Sequence, residues 1–392
     1  MSDEQSWVIQ TEDLQIGTVL SFDLTDATGQ VLHKAGLPIN DRLKERLKKR
    51  NIHSVTIRGA ANCDEVQTES LLIDSYSPGS VMALRASIES TQFALRKLIA
   101  TVQNNEEGNI DELHEHVKQF VEEASRDVAA ALAVIALGSQ DANSEIVDIV
   151  AKRSAKLSLL GVITSVVKAD EPNESVEIGL AGLLHDCSLL INTHWFSMDT
   201  GQRKDRFLAK YQRHPIESAE LVNATKGISK NVVTMITQVH EQADGTGYPR
   251  GMKLTNTLPG ASILNLADAY LALVEPIQGN KFVPSDALAY LCYHTSQGKF
   301  CKFTLQLMIQ GMSIYPVGSP VLLDDESTAL VIQGNPGKPL QPVIRLQQLE
   351  NLRIDLRDSS RTIVGPFIGS DKSKLERIKK SQMLDFLWRT DR

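Results

Sequence analysis

The chain has 392 residues, 42% hydrophobic and 23% charged, a composition typical of globular proteins that bury a sizeable core. Its net charge of −7 argues against binding to polymeric nucleic acid, which requires a basic surface. The sequence has no apolar run of the roughly 18 residues that a membrane span needs, no basic and apolar leader and no CxxC pair. We therefore expect a cytoplasmic protein that does not bind membranes.

Residues 7–59 are predicted to form a small α+β domain. Residues 16–22 have strand composition, and the turn signal at 26–29 is followed by a second short strand. Asn40 is a suitable N-cap for the helix that follows. The next stretch, 60–80, is polar and ends in Ser-Pro-Gly-Ser, so we interpret it as a linker.

Residues 81–140 are predicted to form amphipathic helices. Apolar residues recur in steps of three and four from Val81 to Val102, which is heptad spacing. This seam either pairs two chains in a homodimer, as in a dimerising scaffold, or packs on the next helix of the same chain. A second helix is expected over 110–137, and helices dominate the segment 141–312.

The end of the chain has a different character. Short β-rich runs separated by Gly and Pro occupy 313–360 and predict a small β-rich extension. A charged stretch over 372–392 predicts a C-terminal helix.

Five candidate metal ligands are spread through the helical part, namely His185, Asp186, His214, His240 and Asp268. Their gaps are similar: 214 − 185 = 29, 240 − 214 = 26 and 268 − 240 = 28. Such spacing suits one ligand on each successive helix of a bundle, with all of them converging on its core. Imidazoles and carboxylates together are the ligands of transition-metal sites.

A glycine-rich loop follows His240 and Glu241. If this segment is helical, a spacing of four places His240 and Asp244 on one helix face, and the glycines beyond then end the helix. This preformed loop is costly for a purely structural segment, so we interpret it as a substrate or partner loop. Its candidate contact residues are Asp244, Gly245, Gly247, Tyr248, Pro249 and Gly251.

These motifs, in this order, resemble the HD-GYP family, a branch of the HD-domain metal-dependent phosphohydrolases. The resemblance covers roughly 140–350. It implies a mainly α fold: an HD-type helical bundle, preceded by a small α+β domain and followed by a small β-rich extension. It also implies hydrolysis of cyclic di-GMP or a related dinucleotide on divalent metal, with Fe or Mn expected, and a protein partner at the loop.

The resemblance assigns roles to individual residues. Asp186 would bridge the metals, and Asp186 and Glu241 would be catalytic. If His185, Asp186 and Asp268 held one ion, and Asp186, His214 and His240 the other, each ion would keep three protein ligands.

The sequence departs from the family at several positions. Arg153 replaces an early histidine ligand, and Val239 replaces the first imidazole of a His-His-Glu motif. Ser188-Leu189 stands where the family has Gly-Lys, and Glu275 stands where a cation would meet substrate phosphate. The departures leave open whether the site holds two ions, one or none. One hypothesis is a phosphodiesterase with an incomplete metal site and weak or lost hydrolysis; the other is an inactive module that senses nucleotide or docks a partner.

Overall fold

The computed structural model describes residues 5–14, 16, 23–34, 37, 39–59, 78–137, 145–168, 172–193, 205–276, 282–335, 337–346 and 352–366. The strand predicted over 16–22 (except residue 16), the linker at 60–80 (except its last three residues) and the helix at 372–392 lie outside the described residues. The described residues fall into two compact units, one combining the N-terminal segment with the chain from Met312 onwards, the other holding the helices between them.

The first unit contains two antiparallel sheets and one helix. The N-terminal sheet has strand order β1-β4-β2-β3, and the Asn40 side chain caps α1 by accepting a hydrogen bond from the Leu43 amide at 3.0 Å, as predicted. The C-terminal sheet has the order β8-β7-β6-β5-β9. The elements are β1 (Gln5–Gln10), β2 (Leu24–Thr25), β3 (Val31–His33), α1 (Asp41–Lys49), β4 (Ser54–Gly59), β5 (Pro320–Leu323), β6 (Thr328–Gln333), β7 (Val343–Leu346), β8 (Arg353–Asp355) and β9 (Ile363–Pro366).

One hydrophobic core serves both sheets. Leu43 and Leu47 of α1 belong to the same buried cluster as Val331 of β6 and Ile344 of β7. The sequence treats 7–59 and 313–360 as two separate domains, and those boundaries stay a prediction. The shared core adds that the two ends of the chain fold together, which no local pattern in either segment indicates.

A buried arginine also links the two ends. Arg361 Nε lies 2.9 Å from Asp13 Oδ2, its Nη1 lies 3.0 Å from Asp325 Oδ2, and its Nη2 donates to the Val8 carbonyl at 3.2 Å. Burial raises the pKa of the Asp13 carboxyl, and the Ser359 hydrogen bond and the Arg361 charge oppose that rise. Asp13 therefore depends on Arg361 to stay ionised inside the unit.

The second unit is helical, as predicted for most of its length. Its helices are α2 (Pro78–Gln103), α3 (Asp111–Arg126), α4 (Val128–Ala136), α5 (Ile146–Val166), α6 (Pro172–Leu184), α7 (Cys187–Ile191), α8 (Asp205–Tyr211), α9 (His214–Asn223), α10 (Lys230–Gln238), α11 (Pro259–Val274), α12 (Pro284–Ser296) and α13 (Lys302–Met312). Within the described residues, none of the helices combines the length and apolarity needed to cross a bilayer.

The structure decides how the apolar seam of α2 packs and whether residues 110–137 form one helix. The seam residues Val81, Leu84, Ile88 and Leu95 are buried within the chain, so they pack on neighbouring helices of the same unit. The single helix expected over 110–137 is wrong: it is broken at Asp127, whose side chain accepts from the Ala130 amide at 3.0 Å and starts a new helix.

Glycines in α6 allow α3 and α11 to pack closely against it. A Cβ atom on Gly179 would lie 2.5 Å from a Val117 methyl group, and one on Gly182 would lie 2.8 Å from Leu264. Both distances are shorter than real Cβ contacts, so only glycine allows these helices to approach. This packing fixes the end of α6, after which the candidate ligands begin.

We expect Arg361→Met to lower the free energy of unfolding of the first unit by about 3–5 kcal/mol, because it leaves Asp13 buried without its cation. Urea unfolding of the full chain, followed by circular dichroism, measures this loss. The matched control is Arg357→Met, which removes a half-exposed ion pair with Asp355 and should cost less than about 1 kcal/mol. Equal losses in the two variants would contradict the role given to Arg361.

Candidate metal centre

The His185-Asp186 pair lies in the turn between α6 and α7. His185 Nδ1 donates to the Gly182 carbonyl at 2.8 Å, which leaves Nε2 as the metal-binding nitrogen of the neutral ring. His185 Nε2 is 3.1 Å from Asp186 Oδ2. Both side chains are 1% exposed. The turn thus presents an imidazole and a carboxylate side by side in the interior.

His214 is the first residue of α9 and contacts the same carboxylate. Its Nδ1 donates to the Tyr211 carbonyl at 2.9 Å, and its Nε2 lies 3.3 Å from Asp186 Oδ1. The same Nε2 is 3.0 Å from His240 Nε2. Asp186 therefore lies between two imidazoles, which is the position expected of a bridging ligand.

His240 follows the end of α10, because that helix stops at Gln238. His240 and Asp244 therefore do not share a helix face. His240 Nδ1 lies 3.8 Å from Asp268 Oδ2, a buried carboxylate on α11. Neither of these two atoms has a hydrogen-bond partner among the described residues. Two buried, unpartnered ligand atoms at this separation fit a group held between them.

The structure brings all five predicted ligands into one buried cluster. The ligand atoms of His185, Asp186 and His240 lie within 4.8 Å of one another. Two ligands about 2.1 Å from one ion lie roughly 3.4 Å apart at a tetrahedral angle, close to several distances in the cluster. The residues therefore fit one divalent ion, although metal binding itself stays a prediction.

Arg153, the residue at a substituted ligand position, takes part in the cluster. Its Nη2 donates to Asp268 Oδ1 at 2.5 Å and to the Asp268 carbonyl at 3.0 Å. Asp268 is fully buried, and Arg153 is 4% exposed. One oxygen of Asp268 is thus committed to a guanidinium, and Oδ2 is the oxygen that remains for the predicted first ion. Val239, at the other substituted position, is fully buried, and its carbonyl accepts from Asn265.

Burial and charge set the protonation of the cluster. Burial alone would raise the pKa of the Asp186 carboxyl, but His185 and His214 hold that pKa well below its usual range. Burial likewise opposes a proton on His185, and the Asp186 carboxylate outweighs it and raises the His185 pKa. Burial and the neighbouring charge of His214 lower the pKa of His240 well below its usual value. His240 is therefore neutral, the form that binds metal.

Glu241 holds the glycine-rich loop instead of facing the cluster. Its Oε1 accepts from the Arg250 amide at 2.7 Å, and its Oε2 accepts from the Met252 amide at 2.7 Å. Both carboxylate oxygens are used in these bonds. The contacts of Glu241 therefore give no support to the predicted catalytic role.

Gly247 allows the loop to fold back on the end of α10. A Cβ atom on Gly247 would lie 2.2 Å from the Gln242 nitrogen and 2.4 Å from the His240 carbonyl oxygen, both impossible approaches. The next amide, that of Tyr248, donates to the same His240 carbonyl at 3.1 Å. The loop is thus built directly on the backbone of a candidate ligand.

Asp244 bonds Lys299 and the loop itself instead of joining the cluster. Asp244 Oδ2 is 3.0 Å from Lys299 Nζ, and its other oxygen accepts from the Thr246 amide and hydroxyl. Gly245 and Gly251 have positive φ angles, +83° and +65°, which glycine adopts without strain. The Tyr248-Pro249 peptide bond is cis. These hydrogen bonds and turns fix the shape of the loop, and its role as a substrate or partner loop stays a prediction.

Two tyrosines cover the imidazoles, and sequence reasoning missed one of them. The Tyr248 ring stacks on His240 with ring centres 4.8 Å apart, and Tyr211 packs on His214 at 4.7 Å. The two hydroxyls lie close to each other. Tyr211 stands three residues before His214, so its position one helical turn away is the signal that could have found it.

The remaining departures are structural. The Ser188 hydroxyl donates to the His214 carbonyl at 3.0 Å and so joins α7 to α9. Leu189 is fully buried. Glu275, which stands where the family has a cation for substrate phosphate, is buried and accepts from Lys156 at 2.8 Å inside the core.

Comparisons with known proteins bear on the helical unit. A family model described as an HD domain matches residues 109–300. The cyclic di-GMP phosphodiesterase PdeB of Borreliella burgdorferi is 27% identical over 171 residues, 44% of this chain and 45% of the relative. The cyclic di-GMP phosphodiesterase PA4108 of Pseudomonas aeruginosa is 26% identical over 171 residues, 43% of this chain and 41% of the relative.

The chain spans less than half the length of these curated relatives. Among solved structures, Bd1817, a HDG"Y"P protein from Bdellovibrio bacteriovorus, has 18% identity and a TM-score of 0.47, covering 78% of this chain and 98% of that one. The HD-domain match, the two relatives and the motifs at 185–186 and 244–251 support an HD-GYP domain family for the helical part of the chain.

Proposed function

We propose that this protein is a cyclic di-GMP signalling protein whose metal site is incomplete and whose hydrolytic activity is weak or lost. The observation that carries the proposal is the Arg153–Asp268 ion pair inside the cluster of predicted ligands. The substrate class comes from the two relatives, whose names state cyclic di-GMP phosphodiesterase activity. The incomplete metal site and the weak or lost hydrolysis are inferred from the geometry of this chain.

The cluster supports a site for a single divalent ion, with Fe or Mn as the expected metals. His185, Asp186 and His240 would hold it, and His214 lies within reach of Asp186 and His240. Such an ion lowers the pKa of a bound water and neutralises phosphate oxygens. The protein itself supplies a buried, neutral His240 and an ionised Asp186 ready to bind.

The charges of the cluster explain why a second ion is disfavoured. With its imidazoles in the neutral form that binds metal, Asp186 and Asp268 contribute −2 and Arg153 contributes +1, so the net charge is −1. One divalent ion changes this to +1, and a second would enter a site that is already positive. Two unit charges 4 Å apart interact by about 4 kcal/mol at an effective dielectric constant near 20. We therefore expect one ion, and activation of water without the second metal is correspondingly poor.

We expect the purified chain to contain about one transition-metal ion, and to hydrolyse cyclic di-GMP slowly or not at all. His185→Ala should remove the ion, because it deletes a ligand that no neighbour replaces. Elemental analysis of the purified protein and a cyclic di-GMP hydrolysis assay measure the two quantities. The control is His114→Ala, which changes a histidine outside the cluster and should leave the metal content unchanged. Two ions per chain with full turnover would contradict the proposal.

Restoring the two substituted ligands tests the cause of the loss. Arg153→His combined with Val239→His should raise the metal content from one ion towards two, because it removes a cation and adds two imidazoles. The same assays apply, with the single Arg153→His variant as an intermediate. If the double variant folds, binds no more metal and gains no activity, the account of the incomplete site is wrong.

The second candidate function is a module that senses nucleotide or docks a protein partner without hydrolysis. The observation that favours it is the loop over 244–251, which keeps its glycine turns and its hydrogen bonds to Glu241. The neighbouring metal site, by contrast, has Arg153 and Val239 in place of two ligands. In this case the loop would be the recognition surface. Detectable cyclic di-GMP binding without turnover would favour this function over an enzyme.

We expect Gly247→Ala to disrupt the loop and weaken cyclic di-GMP binding, because a methyl group there collides with the backbone of His240 and Gln242. Titration calorimetry measures the binding, and hydrogen exchange measures loss of protection of the Tyr248 amide. The control is Gly365→Ala, a glycine with nothing within 4 Å of its added methyl. Unchanged protection and affinity in Gly247→Ala would contradict the role of this close approach.

A further inference from the structure

The guanidinium of Arg153 is only partly satisfied by the protein. A guanidinium has five N–H donors, and both hydrogen bonds made by Arg153 come from Nη2 and go to Asp268. Nε and Nη1 are buried and have no hydrogen-bond partner among the described residues. Leaving charged donors unpaired in the interior is costly. The arrangement therefore calls for a partner that the described part of the chain does not provide.

Two other buried cations show how this chain satisfies a purely structural charge. Lys156, one turn along α5, donates to both Glu275 and the Leu137 carbonyl. Arg361 contacts three different residues through its three nitrogens, although its Nε makes only an ion-pair contact and no hydrogen bond among the described residues. Arg153 instead directs one nitrogen at one residue. This difference separates Arg153 from the structural pairs.

The surroundings of Arg153 identify the missing partner as an anion. The guanidinium lies beside the ligand cluster, because it bonds Asp268 Oδ1 and the other oxygen of that carboxylate is 3.8 Å from His240 Nδ1. With one divalent ion bound, the carboxylates, the guanidinium and the ion sum to +1. A guanidinium pairs with phosphate oxygens through directed, charge-assisted hydrogen bonds.

We propose that Arg153 is an anion-binding residue, whose Nε–H and Nη1–H donors hold the non-bridging oxygens of a phosphate group in the cluster. In this arrangement Asp268 orients the guanidinium through Nη2 and leaves the other two nitrogens for the ligand. The position that the family uses for a metal-binding histidine thereby becomes a fixed cation that binds phosphate but cannot activate water. The inference rests on the proposed function for the identity of the nucleotide, whereas the phosphate chemistry is common to cyclic di-GMP and inorganic phosphate.

The test is titration calorimetry of the full chain with cyclic di-GMP and, separately, with inorganic phosphate, at a measured metal content. We expect Arg153→Met to weaken binding of both probes at least ten-fold without lowering the metal content. Arg153→Lys keeps the charge but not the planar donors, so its affinities for the two probes should lie between those of Arg153→Met and the original chain. The matched control is Lys156→Met, which breaks a buried ion pair on the same helix and should leave both affinities unchanged.

Folding and binding are separated by a second variant. Arg153→Met combined with Asp268→Asn removes both charges of the pair, so it avoids an unpaired buried carboxylate and keeps the fold testable by circular dichroism and thermal melting. If a folded Arg153 variant binds both probes as tightly as the original chain, or if Lys156→Met loses binding equally, Arg153 is structural and the inference is overturned.

The two probes also separate this inference from the proposed function. Phosphate binding that depends on Arg153, with no binding of cyclic di-GMP, would keep the anion site and overturn the nucleotide assignment. Binding of cyclic di-GMP that is independent of Arg153 would keep the nucleotide assignment and overturn the anion site. Failure of the original chain to bind either probe would overturn both.

Discussion

The buried ion pair between Arg153 and Asp268 is the interaction on which the properties of the site depend. It joins α5 to α11 across the core and commits one oxygen of Asp268 to a guanidinium. A pair with so little contact with water gains from charge only if its geometry and hydrogen bonds are good, and here the Asp268 carbonyl adds a second bond. The same pair lowers the negative charge available to metal. Arg153 at a ligand position therefore reduces both the number of ligand atoms and the negative charge that the site offers to metal.

The helices position this chemistry mainly through their ends. His185 and Asp186 lie in the turn after α6, His214 begins α9, and His240 follows α10. Two of the imidazoles are held by the backbone, because His185 and His214 donate to the Gly182 and Tyr211 carbonyls. The backbone of His240 is held as well, since its carbonyl accepts from the Tyr248 amide. Ligands fixed by main-chain bonds lose little freedom when an ion or phosphate binds, which favours a preorganised site.

The motif residues predicted the helical class of the central unit and which side chains meet in its core. Residue type and spacing along the chain were enough, since five ligands recurring at similar intervals on helices must converge if the helices bundle. The partners of those side chains were not predictable. Glu275 bonds Lys156 across 119 positions, and Glu241 bonds loop amides nine and eleven positions ahead. The shared core of the two chain ends was missed for the same reason, because each segment reads locally as a domain of its own.

The two ion pairs on α5 explain how a ligand position could become a cation without loss of the fold. Arg153 and Lys156 stand one turn apart and contact Asp268 and Glu275, which stand two turns apart at α11 and its end. The Lys156–Glu275 pair, reinforced by the Leu137 carbonyl, ties α5 to the end of α11 by itself. Because that attachment does not involve the metal ligands, residue 153 is released from a scaffolding role. The residue type at position 153 can then change the charge of the site without loss of this attachment. The Nε and Nη1 atoms of Arg153, which have no partner among the described residues, agree with a role outside the scaffold.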